Sequence, residues 1–401
     1  MKIHVWCPGI DPQVGGIEGY SAAIVNALTQ IGVTPLRVFA KNEASRTVRQ
    51  HLGHGAEGFG VGSVPLRFRT AAFVALLAAH AIADRPDLII TTHLNFGPAA
   101  AWLKRRFGIP YWVSLHGIDA WGLRHAARLQ ALKSADLLLP VSGFTRDRVM
   151  REQAMAPERF RVLPNTFEPA AWTIGPKPAR LLERYGLSRT QPVILTVGRL
   201  SSAERYKGQD RVLLVLKEVA KELENQGPRE TPNVQRSTSN VEVGEGNSDV
   251  RYLIVGDGDD RVRLERIATE EGITEMVTFA GRIPQEELAD HYRLCDVFAM
   301  PSTGEGFGIV FLEAMASGKP VIGGTRDAAV DALRGGELGL LVDPENPTQL
   351  RDAIISVLNR TSPHPLIFQP EELRAKVIEY FGFERFFERV SEMLKGLELK
   401  R

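Results

Sequence analysis

The chain has 401 residues, 44% of them hydrophobic and 24% charged, and a formal net charge of +1. This is ordinary globular composition with enough apolar material for two cores, and it excludes a disordered or low-complexity chain. The near-neutral total hides an asymmetry: residues 1–170 hold 19 Lys and Arg against 12 Asp and Glu, whereas the remainder holds 30 against 36. A basic first half suits an anionic acceptor or a membrane surface carrying acidic lipid.

The chain enters a strand at once over residues 3–7 and breaks at Pro8 and Gly9, so no signal-peptide apolar region is expected. Helical and strand patterns then alternate: a helix over 21–31, a strand over 34–39, a helix over 66–83, a strand over 88–91, a helix over 99–107, and strands over 111–115 and 137–141. Such alternation predicts a doubly wound parallel sheet with ligands at the carboxyl ends of its strands. The longest apolar run, 70–83, carries His80 and is too short to cross a bilayer, so no membrane anchor is expected. Proline-rich residues 164–178 read as a linker. The architecture then repeats, with strands at 193–197, 252–255, 277–280, 296–300 and 320–322, a helix over 209–224, and a polar insertion at 225–249 read as a surface excursion. Residues 371–397 form a helical pattern interrupted at Gly382. Cys7 and Cys295 lie beside apolar runs and read as buried thiols in a reducing cytosol.

Chemistry concentrates in residues 296–323. They read as a buried strand, a glycine-punctuated loop, a helix of about three turns, a Gly stop and a second buried strand. Glu305 and Glu313 stand eight residues apart, one before the helix and one on it. Between them Gly306, Phe307, Gly308 and Ile309 bring backbone N–H groups to a helix N-terminus, where the macrodipole favours an anion. The pattern suits a polyol attached to a phosphate.

The run EGFGIVFLEAMASGKPVI, together with Gly198-Arg199, Lys207-Gly208, the Gly15-Gly16 loop after the first strand and His116-Gly117-Ile118-Asp119, resembles the retaining glycosyltransferases of family 4 over nearly the whole chain. The resemblance implies the α/β GT-B fold, two Rossmann-like domains facing each other across a cleft. Residues 1–168 would bind the acceptor and be rejoined in space by a C-terminal helix over about 384–401; residues 169–383 would bind the nucleotide sugar. It further implies that Arg199 and Lys207 grip the diphosphate, one as a bidentate fork and one as a point charge. Glu313 would accept hydrogen bonds from ribose hydroxyls, and Glu305 would lie near the donor sugar as an electrostatic stabiliser or hydroxyl partner. Gly306, Phe307, Gly308 and Ile309 would offer backbone amides, and the backbone around Arg282 and Ile283 would lie against the nucleobase. From the first domain, Gly15 and Gly16 would reach the donor phosphate, His116 would donate to the transferred sugar or orient the incoming hydroxyl, and Asp119 would orient the loop or the acceptor.

The implied reaction moves a hexose from a nucleoside diphosphate sugar, GDP-mannose rather than UDP-glucose, to a hydroxyl of a polysaccharide-precursor, lipid-linked or other glycan acceptor. No metal or other cofactor and no nucleic-acid partner are expected, and the location implied is the cytoplasm, peripheral to the inner face of the membrane through the basic first domain. Asp257 and Asp259 form a D-x-D, a metal-binding pattern elsewhere, but they precede a helix near Arg261 and read as turn and N-cap residues. The Gln13–Gly19 loop lacks the G-x-G-x-x-G spacing, which removes the main support for a dinucleotide-dependent oxidoreductase. An inactive sugar-nucleotide-binding regulatory or assembly protein is the alternative.

Overall fold

Strands separated by helices must run parallel, and buried on both faces they read as unbroken apolar runs. The computed structural model, which describes residues 1–53, 55–225 and 250–398, has two such sheets in two compact units. The first unit comprises Met1–Phe167 and Phe381–Arg401, the second Glu168–Tyr380. The 225–249 insertion lies outside the described residues apart from Asn225.

In the first unit, β1 (Ile3–Cys7), β2 (Leu36–Ala40), β3 (Ala56–Gly60), β4 (Leu88–Thr91), β5 (Tyr111–Leu115) and β6 (Leu137–Pro140) lie in the order β3-β2-β1-β4-β5-β6. The central strand β1 is wholly buried and pairs in parallel on both sides, Ile3 opposite Leu36 and opposite Leu88. In the second unit, β7 (Val193–Val197), β8 (Arg251–Val255), β9 (Val277–Gly281), β10 (Val297–Met300), β11 (Val321–Gly324) and β12 (Leu340–Val342) give β12-β11-β10-β7-β8-β9. Counted from its own first strand, each sheet has the same order. The winding reverses between β1 and β4 in one and between β7 and β10 in the other, and crevices for ligands open at such points.

The helix Phe383–Glu398 belongs to the first unit and packs on the helix Gly16–Ile31, where the Phe386 ring meets the edge of Tyr20 at 5.8 Å. Cys7 and Cys295 are free and buried, each thiol directed at a carbonyl, that of Phe39 and that of Tyr292.

Several elements depart from the sequence reading. The edge strand β3 was absent from it because Ala-Glu-Gly-Phe-Gly carries no apolar alternation. Its glycines answer to a close crossing instead: a Cβ on Gly60 would sit 2.2 Å from the Glu43 carbonyl oxygen. The first helix begins at Gly16 rather than Ser21. The helix after the Glu305 loop is shorter than three turns, covering Ile309–Ala316, and Gly318 at φ +72° packs so closely on Pro370 that a Cβ there would lie 2.7 Å from the proline. Finally, the 70–83 run sits inside a 19-residue helix, Leu66–Asp84, and that helix is long and apolar enough, by length and composition, to cross a membrane. Leu66–Arg69, which mixes two apolar residues with two arginines, and Asp84 lengthen it. One stripe, Phe73, Leu77 and Ala81, is buried in the sheet core, which a spanning helix could not do.

Candidate active site

In the second unit the loops after β7 and β8 are stitched together by backbone. Gly198 N–H donates to the Val255 carbonyl at 2.9 Å and Leu200 N–H to that of Asp257 at 3.0 Å. The approach demands glycine at Gly256, whose φ is +133° and whose added Cβ would lie 1.9 Å from the Gly198 oxygen. The chain then turns through Ser202–Lys207 and returns Lys207 across Gly198, where a Cβ would meet the lysine Nζ at 3.3 Å.

This folding back places both predicted cations on one carboxylate. Lys207 Nζ lies 2.7 Å from Glu204 Oε2, and the Arg199 guanidinium donates to Glu204 Oε1. Lys207 is nearly buried, its side chain 11% exposed, whereas Arg199 is 78% exposed. Glu204 was missed by sequence reasoning, since a Glu in a polar loop carries no signature. It holds the two positive groups at the carboxyl end of β7, beside the reversal point, around a single anionic centre.

The β10 loop joins this group through Tyr206. Thr303 N–H donates to the Tyr206 carbonyl at 2.9 Å, and the tyrosine ring lies over Gly304, where a Cβ would intrude to 2.7 Å. Glu305 follows, its N–H donating to Asp327 Oδ2 at 2.7 Å while Asp327 Oδ1 accepts from Ala329 N–H at 2.9 Å. Asp327 is fully buried and pins the loop; it too was missed, lying 22 residues downstream in an ordinary-looking turn. Burial pushes the Glu305 carboxyl up to about 7; Lys207 opposes this, Asp327 and Glu204 add to it, and Arg199 opposes it again. Gly308, at φ +83°, caps the Ile309–Ala316 helix with no side-chain hydrogen bond, and a Cβ there would strike the Phe311 ring at 2.6 Å. Gly306 and Phe307 are buried, so the phenyl ring is not presented to solvent.

Arg199, Lys207 and Glu305 are thus brought together with Glu204, Tyr206 and Asp327. Glu313 has one oxygen committed: it is buried, and Tyr292 donates its hydroxyl to Oε2 at 2.7 Å. Burial pushes the Glu313 carboxyl up to about 7, with Tyr292 working against it. Arg282 is exposed and Ile283 half-buried just past β9, which is tied to β8 by Gly256 N–H donating to the Gly281 carbonyl at 2.9 Å. The two aspartates of the D-x-D point to local partners. Asp257 accepts from Gly258 N–H at 2.9 Å, and Asp259 accepts from the Ser202 N–H at 3.0 Å and its hydroxyl at 2.5 Å. The N-cap expectation needs correcting, because Asp260 precedes the Arg261–Glu270 helix without capping it. Its carboxylate is drawn to Arg263 and Arg205 instead.

In the first unit the loop between β1 and the Gly16–Ile31 helix is shaped by Glu43, a third residue that sequence reasoning passed over. Its Oε1 accepts from Ile10 N–H at 2.7 Å and Asp11 N–H at 3.0 Å, and a Cβ on Gly9 would fall 2.3 Å from that oxygen. Gly15 caps the helix with no side-chain bond, and Gly16 opens it. Tyr20 on that helix meets the His116 ring edge-on at 5.0 Å, so the glycine loop and His116 share one neighbourhood. His116 and Asp119 are joined, since the His116 backbone N–H donates to Asp119 Oδ1 at 2.8 Å.

His116 Nε2 lies 2.7 Å from the Thr92 carbonyl oxygen. A carbonyl only accepts, so Nε2 carries the hydrogen and the neutral ring offers an acceptor at Nδ1. Burial pushes the imidazole down to about 4, the Thr92 bond resisting and the neighbouring His93 adding to the fall, so the ring is neutral at pH 7. Of the two roles expected for it, a ring bonded in this way has only the acceptor's part to play toward a hydroxyl. Asp119 is pushed up to about 7 by burial, against the hydrogen bond from His116 N–H.

Comparison with known proteins gives these features a family. The family model described as Glycosyl transferases group 1 matches residues 180–380, and that described as Glycosyltransferase Family 4 matches residues 14–170. A GDP-mannose-dependent alpha-(1-6)-phosphatidylinositol monomannoside mannosyltransferase of Mycolicibacterium smegmatis is 30% identical over 372 residues, 86% of each chain. A D-inositol 3-phosphate glycosyltransferase of Acidothermus cellulolyticus is 27% identical over 370 residues, 86% of this chain and 78% of its own. Among solved structures, Anabaena HepE in complex with UDP superposes with a TM-score of 0.75 at 21% identity, over 99% of this chain and 100% of that one. Sucrose-phosphate synthase from Thermosynechococcus elongatus does so with a TM-score of 0.75 at 20% identity over 100% of both. The repeated sheet order, the paired cations at the end of β7 and the Glu305–Glu313 loop and helix therefore belong to a member of the glycosyl transferases group 1 family, a family 4 glycosyltransferase with the GT-B fold.

Proposed function

We propose that this protein is a retaining, metal-independent hexosyltransferase that uses a nucleoside diphosphate sugar, GDP-mannose in preference to UDP-glucose, and glycosylates a hydroxyl of a lipid-linked, polysaccharide-precursor or other glycan acceptor. The observation that carries the reading is the pairing of Arg199 and Lys207 on Glu204, beside Glu305, at the carboxyl end of β7. Two cations held in place before the reaction stabilise a leaving diphosphate without reorganising as its charge grows. The donor's diphosphate takes the place of the Glu204 carboxylate between them. The bond from the anomeric carbon to the leaving oxygen breaks, the bond to the acceptor oxygen forms on the same face, and the acceptor's proton passes to the leaving phosphate oxygen. Glu305 serves the sugar as a hydroxyl partner or electrostatic stabiliser, Glu313 the ribose, and His116 accepts a hydrogen bond through Nδ1. The preference for GDP-mannose and a lipid-linked acceptor draws support from the 30%-identical relative, a GDP-mannose-dependent phosphatidylinositol monomannoside mannosyltransferase. We place the protein in the cytoplasm, with its basic first unit against the inner face of the membrane.

The test is a thermal-shift panel of GDP-mannose, UDP-glucose, ADP-glucose and the free diphosphates, followed by transfer assays with labelled sugar from whichever donor stabilises the protein. A raised melting temperature with transfer supports the proposal. Binding without transfer to any acceptor would favour the inactive binding protein, and stabilisation by none of the panel would remove the donor reading.

A further inference from the structure

We propose that the outward face of the Leu66–Asp84 helix, with the adjoining end of the Gly97–Phe107 helix, is the surface on which the first unit docks to a membrane bearing acidic lipid. The proposal rests on the peripheral location suggested above and assigns it to one face.

The inward stripe of the longer helix, Phe73, Leu77 and Ala81, is 1% exposed or less and belongs to the sheet core. The opposite stripe is the unusual one. A surface helix of a globular protein ordinarily turns charged residues outward. Here every exposed position over 70–83 is Thr, Ala, Val or Ile, with Val74 45% and Ile82 40% exposed. At the start of the helix Leu66 and Phe68 are 76% and 54% exposed. The result, over 70–83, is an uncharged strip roughly 21 Å long at the usual rise per residue.

Cations stand at both ends of it. Arg67 lies over the Phe68 ring at 4.7 Å, and Arg85, just past the last turn, lies over Phe107 at 4.5 Å. Phe107 meets Trp102 edge-on at 5.8 Å, and Trp102 is 42% exposed, with Arg105 and Arg106 beside it. Among the described residues no carboxylate pairs with Arg67, Arg85, Arg105 or Arg106, and the nearby Asp84 and Glu57 are both taken by Arg37. An apolar strip ending in arginines and an indole matches a bilayer surface: the strip enters the boundary of the acyl chains, Trp102 sits at headgroup depth, and the guanidiniums meet lipid phosphates. A second copy of the chain is a poor occupant, because a two-fold contact through this face would bring uncompensated arginines toward one another.

The full chain should co-sediment with vesicles of phosphatidylcholine and phosphatidylglycerol and bind phosphatidylcholine alone at least tenfold less. Two double variants test the face, Val74→Glu with Ile82→Glu and Arg105→Glu with Arg106→Glu, all at solvent-facing positions and each checked for an unchanged melting temperature. Each should lower the partition onto acidic vesicles at least tenfold. Variants that bind as the parent does would overturn this surface while leaving the peripheral location standing. A parent chain that ignores acidic vesicles would overturn both. A concentration-dependent dimer in the parent that the Val74/Ile82 variant abolishes would give the face to a second copy and overturn the membrane.

Discussion

Replacing Lys207 with Ala isolates the charge on which the catalytic reading turns. Its ammonium is 2.7 Å from Glu204 and only 11% exposed, so it acts with little solvent screening. A hydrogen bond to a charged group contributes about 1.5–3 kcal/mol, which sets an expected loss in kcat/KM of roughly tenfold to a little over a hundredfold. The fold should survive, because Glu204 keeps its bond from Arg199 and the half-buried Glu305 carboxyl, already pushed up to about 7, can take up a proton. The assay is initial-rate transfer of labelled hexose over a range of donor concentrations, with thermal melts in parallel. If the ammonium acts mainly on the leaving group, kcat falls and KM changes little. A variant within about threefold of the parent in kcat/KM would refute the assignment. So would a loss accounted for by unfolding.

Other outcomes follow from the same geometry. Glu204→Gln removes the carboxylate that a diphosphate must displace, so donor KM should fall by about threefold, the scale of the exposed and solvent-screened pair with Arg199; a raised KM would mean that Glu204 positions the cations instead. Glu313 has its carboxyl raised to about 7, so the folded state binds more protons than the unfolded chain between the ordinary value near 4.5 and 7, and stability is lost as pH rises through that window. Glu313→Gln should therefore gain stability relative to the parent over the same interval, levelling off on the order of 3 kcal/mol above it, and melts at pH 5 and pH 8 that differ equally in the two proteins would contradict this. Gly256→Ala places a Cβ 1.9 Å from a backbone oxygen at φ +133°, so the melting temperature should drop by several degrees for a strain of about 1–3 kcal/mol. Transfer should persist in EDTA; strict dependence on added Mg²⁺ or Mn²⁺ would return Asp257 and Asp259 to consideration as ligands.

Apolar periodicity carried the architecture well, because strands buried on both faces, such as Val-Ile-Leu-Thr-Val in β7, cannot be disguised. Where burial gives way to close packing the signal disappears. The strand β3 is glycine because a neighbouring backbone crosses it, and no property of Ala-Glu-Gly-Phe-Gly announces that crossing. Arg199, Lys207 and Glu305 were legible because glycines and a βαβ frame surround them. Glu43, Glu204 and Asp327 were not, since each works by accepting from backbone or holding another side chain. Their partners lie 32 or 33 residues away for Glu43, three and five for Glu204, and two and 22 for Asp327. A carboxylate in a loop is an ordinary polar residue, and only coordinates separate one that supports a site from one that is merely solvated. The protonation of His116 was likewise beyond reach, because it depends on a carbonyl 24 positions upstream.

That carbonyl belongs to the main chain, which has an inheritance consequence. Any residue at position 92 presents the same oxygen, so drift in the side chain leaves the imidazole's tautomer untouched. A one-residue slip of β4 against β5 would carry that oxygen away from the ring, and it would also move Ile89 and Ile90 to opposite faces of a sheet packed on both sides, where each would have to repack. The ring's proton inventory is therefore safeguarded by the same forces that keep the sheet in register.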